Sequence, residues 1–380
     1  MSELNDLINK LCPDGVPYKK LNEVLNYEQP SKYLVSSKNY SDEYSTPVLT
    51  AGKTFILGYT DEVNGIYQAS KDNPVIIFDD FTTDFKWVDF PFKAKSSGMK
   101  MLTPIDSNTC CFRYIYYAMS VIDFVPSDHK RHWISQYSNF TIPLPPLPVQ
   151  SEIVRILDAF TKLEAELEAE LADRIEQYEY YRGLLLSQKN LERMDGGKVE
   201  HDTVDSLVDV ITATAKIKKN EYKEIGLFPV IDQGMNTVIA GYTDNANALP
   251  DNEWILFGDH TCSLKYFDGR FVQGADGLKI LKAHDNVLPK FVFYALKNLN
   301  VSSNEYARHW TSFKKNELPV PSLATQERIV DILDRFDTLT TSLTDGIPAE
   351  IALRREQYEY CRSRILDFPR LPDDAVSDDE

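Results

Sequence analysis

The chain has 380 residues, enough for two or three domains. Hydrophobic residues make up 43% and aromatics 12%, which is enough to build cores and excludes a disordered chain. The formal charge of −17 argues at first sight against a nucleic-acid partner, but it is unevenly placed.

Residues 151–186 carry nine acids and four bases, residues 327–366 eight and six, and the tail 367–380 six and one. The remainder is nearly balanced and can present a basic face. Five cysteines (12, 110, 111, 262 and 361) form no CxxC pair. A structural zinc or a disulfide framework is therefore not expected, and a reducing cytoplasm fits. The opening Met1-Ser2-Glu3 has no basic or apolar run, so no secretory signal is expected. No apolar stretch approaches the ~20 residues of a membrane span.

In chain order, Val75–Phe78, Trp87–Phe92 and Lys100–Leu102 read as strands and Phe112–Met119 as a helix. Pro143 and Pro145 then punctuate the entry to a helix over about 151–186. Ile153, Ile156, Phe160, Leu163 and Leu167 step by three and four, as an a/d seam does. Leu171 and Ile175 continue in steps of four, a stutter. Strands recur at Trp254–Phe257, Phe271–Gln273 and Leu278–Leu281, and a helix at Phe291–Leu296. Pro319 and Pro321 precede a second long helix, with Ile329, Ile332, Phe336, Leu339 and Leu343 on its seam. Gly346-Ile347-Pro348 should break that helix, with Pro348 able to restart it.

An internal repeat organises these elements. Ile142–Phe160 and Leu318–Phe336 share ten of 19 positions at an offset of 176, and EQYEY recurs at 176–180 and 356–360. Upstream, Gly58–Asp61 pairs with Gly241–Asp244 and Ile77–Asp80 with Leu256–Asp259. Gly98–Leu102 pairs with Gly277–Leu281, and Arg131-His132-Trp133 with Arg308-His309-Trp310. The chain is therefore a duplicated domain-plus-helix unit.

Two variable α/β halves, each followed by Pro143–Gln150 or Pro319–Gln326 and a helix ending in Gln177–Arg182 or Gln357–Arg362, resemble the specificity subunit of a type I restriction-modification system. The likeness covers nearly the whole chain; Cys361 stands where the first copy has Tyr181. It implies an α+β fold, with two target-recognition domains in pseudo-twofold repeat held apart by two long antiparallel coiled-coil helices. The boundaries would be 1–148 and 191–324 for the recognition domains, 149–190 and 325–368 for the spacer helices, and 369–380 for an acidic tail. It implies one half of a bipartite DNA sequence read by each domain. Two modification subunits would dock on the helices, with Gln150, Gln326 and the EQYEY segments as marks of the two sites, and restriction subunits would join them. S-adenosylmethionine, ATP and Mg would belong to those partners and none to this chain.

Catalytic signatures agree with a non-catalytic role. The only Pro-Pro is Pro145-Pro146, outside any Asn/Asp-Pro-Pro-Tyr motif, and no GxxxxGK[ST] loop is present. Asp79-Asp80 invites a nuclease metal pair, but the second copy keeps only Asp259 after Gly258, so turn capping or base reading is the better account. His129 and His132 lack a third ligand. A subunit of a methylation-only system is the alternative, an autonomous nuclease a weaker one, and a coiled-coil scaffold would not need two polar-faced globular copies.

DNA recognition needs cations for phosphates, and amide, hydroxyl or guanidinium groups for base edges. In the first half the candidates are Lys53, Thr82, Thr83, Lys86, Lys93, Lys95, Ser96, Ser97, Lys100, Lys130 and Arg131. In the second they are Lys216, Lys218, Asn236, His260, Thr261, Lys265, Arg270, Gln273, Lys279 and Arg308. Arg131/Arg308 and Trp133/Trp310 are shared by both halves and cannot read different sequences, so structural or phosphate roles are expected for them.

Overall fold

A computed structural model describes residues 2–52, 54–126, 130–235, 237–274, 276–301, 307–342 and 344–372. The chain divides into two compact units, Met1–Glu166 with Ala352–Glu380, and Leu167–Ile351. Each therefore joins one globular part to the start of one long helix and the end of the other.

The two globular parts share one topology. In the first, a four-stranded antiparallel sheet runs in the order Leu25–Glu28, Met99–Pro104, Val75–Asp79, Phe85–Val88. A three-stranded sheet (Ile56–Thr60, Thr46–Leu49, Lys93–Ala94) and a two-stranded pair (Tyr18–Lys20 with Thr141–Pro143) complete it. The second repeats this with Val208–Ile211, Leu278–Ala283, Glu253–Gly258, Leu264–Asp268, then Gly241–Thr243, Phe228–Ile231, Val272–Gln273, then Glu200–Thr203 with Glu317–Val320.

The run Val75–Phe78 is apolar at every position because the sheet is covered on both faces. Ile76 and Phe78 pack with the helix Phe112–Met119, Trp133 and Tyr137, while Val75 and Ile77 pack with Leu49, Phe92 and Met101. Ile255 and Phe257 repeat the first arrangement, Trp254 and Leu256 the second. The strand expected at Trp87–Phe92 is instead Phe85–Val88, starting two residues earlier and ending four earlier.

The first long helix spans Leu147–Leu185, 39 residues or about 58 Å at 1.5 Å per residue. The second breaks where Gly346 and Pro348 predicted, into Leu323–Thr341 and Ile347–Ile365. A Cβ at Gly346 would lie 2.5 Å from the Thr338 carbonyl oxygen, so no other residue fits this turn unshifted. In the first unit Phe160 meets Tyr358 and Glu164 pairs with Arg355, the opposed stepping of antiparallel helices.

The seam differs from the expected one. The residues buried deepest are Val149, Ile153 and Leu157 in one helix and Ile329 and Leu333 in the other, whereas Ile175, Ile332 and Leu339 are exposed. These helices first serve the globular parts beside them, so the buried stripe follows that contact rather than a heptad. Leu343 lies outside the described residues.

Gln150 and Gln326 are not docking marks. Both are wholly buried. The Gln150 amide oxygen accepts the Cys111 backbone N–H at 2.8 Å, and its Nε2 donates to the Pro145 carbonyl at 2.7 Å. Gln326 does the same with Leu288 and Pro321, both at 2.8 Å. Each glutamine ties the start of a long helix to the start of the neighbouring domain helix. A second tie repeats beside it: Tyr117 bonds Asp158, which pairs with Arg113, and Tyr294 bonds Asp334, which pairs with Lys290. Burial first, then the hydrogen bond to the aspartate, pushes both tyrosine hydroxyls upward in pKa.

Candidate nucleic-acid interface

The aligned polar clusters fall on one repeated hairpin. In the first unit it joins Val75–Asp79 to Phe85–Val88, in the second Glu253–Gly258 to Leu264–Asp268. Each turn needs one residue in the left-handed region, supplied by Thr83 (φ 61°) and Cys262 (φ 53°). The Thr83 N–H donates to the Asp79 carbonyl and the Cys262 N–H to the Gly258 carbonyl, both at 2.9 Å.

On this shared frame the tips differ. Asp79 Oδ1 accepts the Phe81 and Thr82 amides at 2.9 and 3.0 Å, the capping role expected of it. Thr82 and Asp84 are exposed and bonded to each other. In the second unit Gly258 leaves room that a Cβ would fill, 2.2 Å from Thr261 Oγ1. There Gln233 takes over the support: its Oε1 accepts the His260 N–H at 3.2 Å and its carbonyl accepts Thr261 Oγ1 at 2.8 Å.

Beneath each tip sits an aspartate. The Asp80 N–H donates to the Gly98 carbonyl at 2.9 Å, and its Oδ2 pairs with Lys100 at 2.7 Å. Its carbonyl accepts the His132 N–H and its Oδ1 the Trp133 N–H, each at 2.8 Å. Asp259 repeats this with Gly277 (2.6 Å), Lys279 (3.7 Å), His309 (2.9 Å) and Trp310 (2.8 Å). The acidic residue that invited a metal site is thus a hub for backbone amides. Among the described residues no group of three or more His, Cys, Asp or Glu is placed to hold a metal.

Several predicted DNA contacts are corrected by burial. Lys100 is 0% exposed and serves Asp80 and the Gln29 side chain. Lys93 is buried against Glu62 and the Asn64 carbonyl, both at 2.7 Å. Lys265 is buried and donates to the Asp232 carbonyl at 2.8 Å; its burial lowers the ammonium pKa. Gln273 is buried, its Nε2 facing the Leu278 carbonyl, and Thr83 is occupied by the turn. A desolvated cation needs an internal partner, and these four side chains and Thr83 are held by the fold.

Others stay at the surface. Thr82, Ser96, Ser97, Lys130, Arg131, Lys216, Lys218, Arg270 and Arg308 are exposed, and Lys86, Lys95, His260, Thr261 and Lys279 half-buried. Lys95 bonds the Tyr40 hydroxyl, Lys216 pairs with Asp276 at 2.7 Å, and Arg270 lies over the Phe228 ring. Lys53, Asn236 and His129 lie outside the described residues. In the second unit a cleft of about 390 Å³ gathers Lys216, His260, Gln273, Asp276, Lys279 and Arg308. The sequence reading missed Gln233 and Asp232, since neither stands at a repeated position. It also weighed Asp80 and Asp259 only as metal ligands, cappers or base readers.

Two stretches, residues 13–177 and 198–353, match the family described as the type I restriction modification DNA specificity domain. The chain is 42% identical over 408 aligned positions to the EcoR124I/EcoR124II type I restriction enzyme specificity subunit of Escherichia coli, covering 97% of this chain and 98% of that one. It is 29% identical to a putative type I restriction enzyme specificity subunit of Haemophilus influenzae, over 67% of this chain and 72% of the other. Among solved structures, the S subunit of a type I restriction-modification system from M. genitalium shares the fold, with a TM-score of 0.59, 15% identity and 93% and 96% of the two chains covered.

Proposed function

Because the chain belongs to the type I restriction-modification DNA specificity family, we propose that it reads a bipartite duplex target, one half with each unit, and leaves the chemistry to its partners. The observation that carries this is the repeated hairpin: one frame, tied at Asp80 or Asp259 to the same two backbone amides, with different polar groups at its tip. A shared frame gives both units the same approach to a duplex, and differing tips give them different base edges to meet. The recognition domains would be 1–148 and 191–324, spaced by helices 149–190 and 325–368, with 369–380 an acidic tail.

In this reading two modification subunits dock on the helices, where Tyr180 and Tyr360 are each 66% exposed at equivalent places. Restriction subunits add to that core. S-adenosylmethionine, ATP and Mg act in those partners, and the chain itself catalyses nothing. No helix among the described residues is long and apolar enough to cross a membrane, and the proposed setting is the cytoplasm with the DNA.

The test exchanges one tip. Phe81→His with Asp84→Ser gives the first hairpin the polar groups of the second, on a turn whose left-handed residue is already matched. Mapping methylated sites in cells should show one half of the target altered and the other retained. An unchanged target, or both halves altered, would count against the reading.

A further inference from the structure

Arg131 and Arg308 hold the same place in both units, directly before the two residues whose amides Asp80 and Asp259 bind. The residues after them are fixed in the core: Trp133 is buried against Phe78, and Trp310 packs on Phe257. The arginines themselves are exposed. Among the described residues neither guanidinium has a hydrogen-bond or ion-pair partner; Asp276, close to Arg308, is paired instead with Lys216.

Each guanidinium therefore sits on a backbone tied down by a carboxylate, yet takes no part in holding the fold together. Its recurrence points to a contact that both units make. In the bipartite reading, tips that differ in sequence meet different bases. What two different half-sites share is the phosphodiester backbone, and a pre-positioned guanidinium fork suits a phosphate. In the second unit the guanidinium lines the cleft with Lys216 and Lys279, which are paired with the carboxylates Asp276 and Asp259, so among the described residues Arg308 is the cation there left open to an anion.

We propose that Arg131 and Arg308 are sequence-neutral phosphate contacts, one per half-site, and that Asp80 and Asp259 are positioning residues that aim them. This rests on the reading of the chain as a bipartite DNA reader, and it divides the interface into a constant anchor and a variable tip.

The experiment uses the full chain assembled with the modification subunits of its system. The probes are a duplex carrying a site mapped by methylation and the same duplex with both half-sites scrambled. Arg131→Gln and Arg308→Gln should each weaken binding to both duplexes by the same factor, roughly tenfold. Each should lower the slope of log affinity against log salt by about 0.9, and the double variant by about 1.8. Arg131→Lys and Arg308→Lys should restore the slope. Asp259→Ala, which removes the oxygen that accepts the Trp310 N–H and leaves both arginines in place, should mimic Arg308→Gln, and the two together should be no worse than either alone. A variant that only loosens the fold would lower the melting temperature and leave the slope intact.

Arginine variants with wild-type affinity and slope would overturn the proposal, as would a loss confined to one base position. In either case wild-type discrimination between the duplexes would leave the DNA reading standing. A wild-type complex that binds neither duplex would end both.

Discussion

Glu62 accepts the Ser36 and Ser37 amides at 2.8 Å and pairs with the buried Lys93 at 2.7 Å. The hydrogen bond from Lys93 and those amides hold its carboxyl below the ordinary range. A depressed folded pKa means the stabilisation is complete above the unfolded value and is lost as pH falls through the folded one. Glu62→Gln should cost roughly 3 kcal/mol at pH 7, by leaving Lys93 buried without its counter-ion. The gap between variant and wild type should narrow on acidification towards pH 3. Thermal melts across that range check this; a constant gap would mean that Glu62 is not the titrating group. The same residues show why the site was only partly legible. A lysine in a polar cluster has one composition whether it faces DNA or an internal carboxylate. What separates Lys100 from Lys86 is that Asp80, twenty residues away, and Gln29, seventy-one away, converge on it. The repeat singled out Arg131 and Arg308 as a shared pair, because identity between copies is visible where local pattern is mute, and the structure places both at the surface.

The long helices were the most legible elements, since their signal is local: apolar residues stepping by three and four, prolines at the start, Gly346 at the break. Their buried stripe was not, because it answers to a partner far along the chain. Strands such as Thr46–Leu49 and Phe228–Ile231 escaped notice because each carries a proline, Pro47 and Pro229, which in a short run argues against a strand. Gln150 and Gln326 were visible as repeated residues but their role was not. Their partners Cys111 and Leu288 lie 39 and 38 residues upstream. Gln150→Ala should leave the Cys111 N–H buried and unpaired, costing about 1–3 kcal/mol. Hydrogen exchange should speed up at the Cys111 amide for that variant, and at the Leu288 amide for Gln326→Ala, with the other unit unaffected. Unchanged protection at both amides would show that the glutamines do not tie helix to domain.

At the scale of the molecule, each unit takes the start of one long helix and the end of the other, so the chain passes between units at 166/167 and 351/352. If the helices set the separation of the two readers, those are the places to lengthen it. A heptad inserted at both keeps helical register and adds roughly 10 Å, about three base pairs at 3.4 Å each. Three base pairs also turn the duplex by about 100°, which the protein will not match fully, so affinity should fall. The most direct measurement is single-molecule sequencing of methylated sites in cells carrying this variant with its partner subunits. The expected result is a target with both half-sites unchanged, a gap longer by about three base pairs, and methylation at reduced occupancy. Full methylation at the original gap would contradict the account.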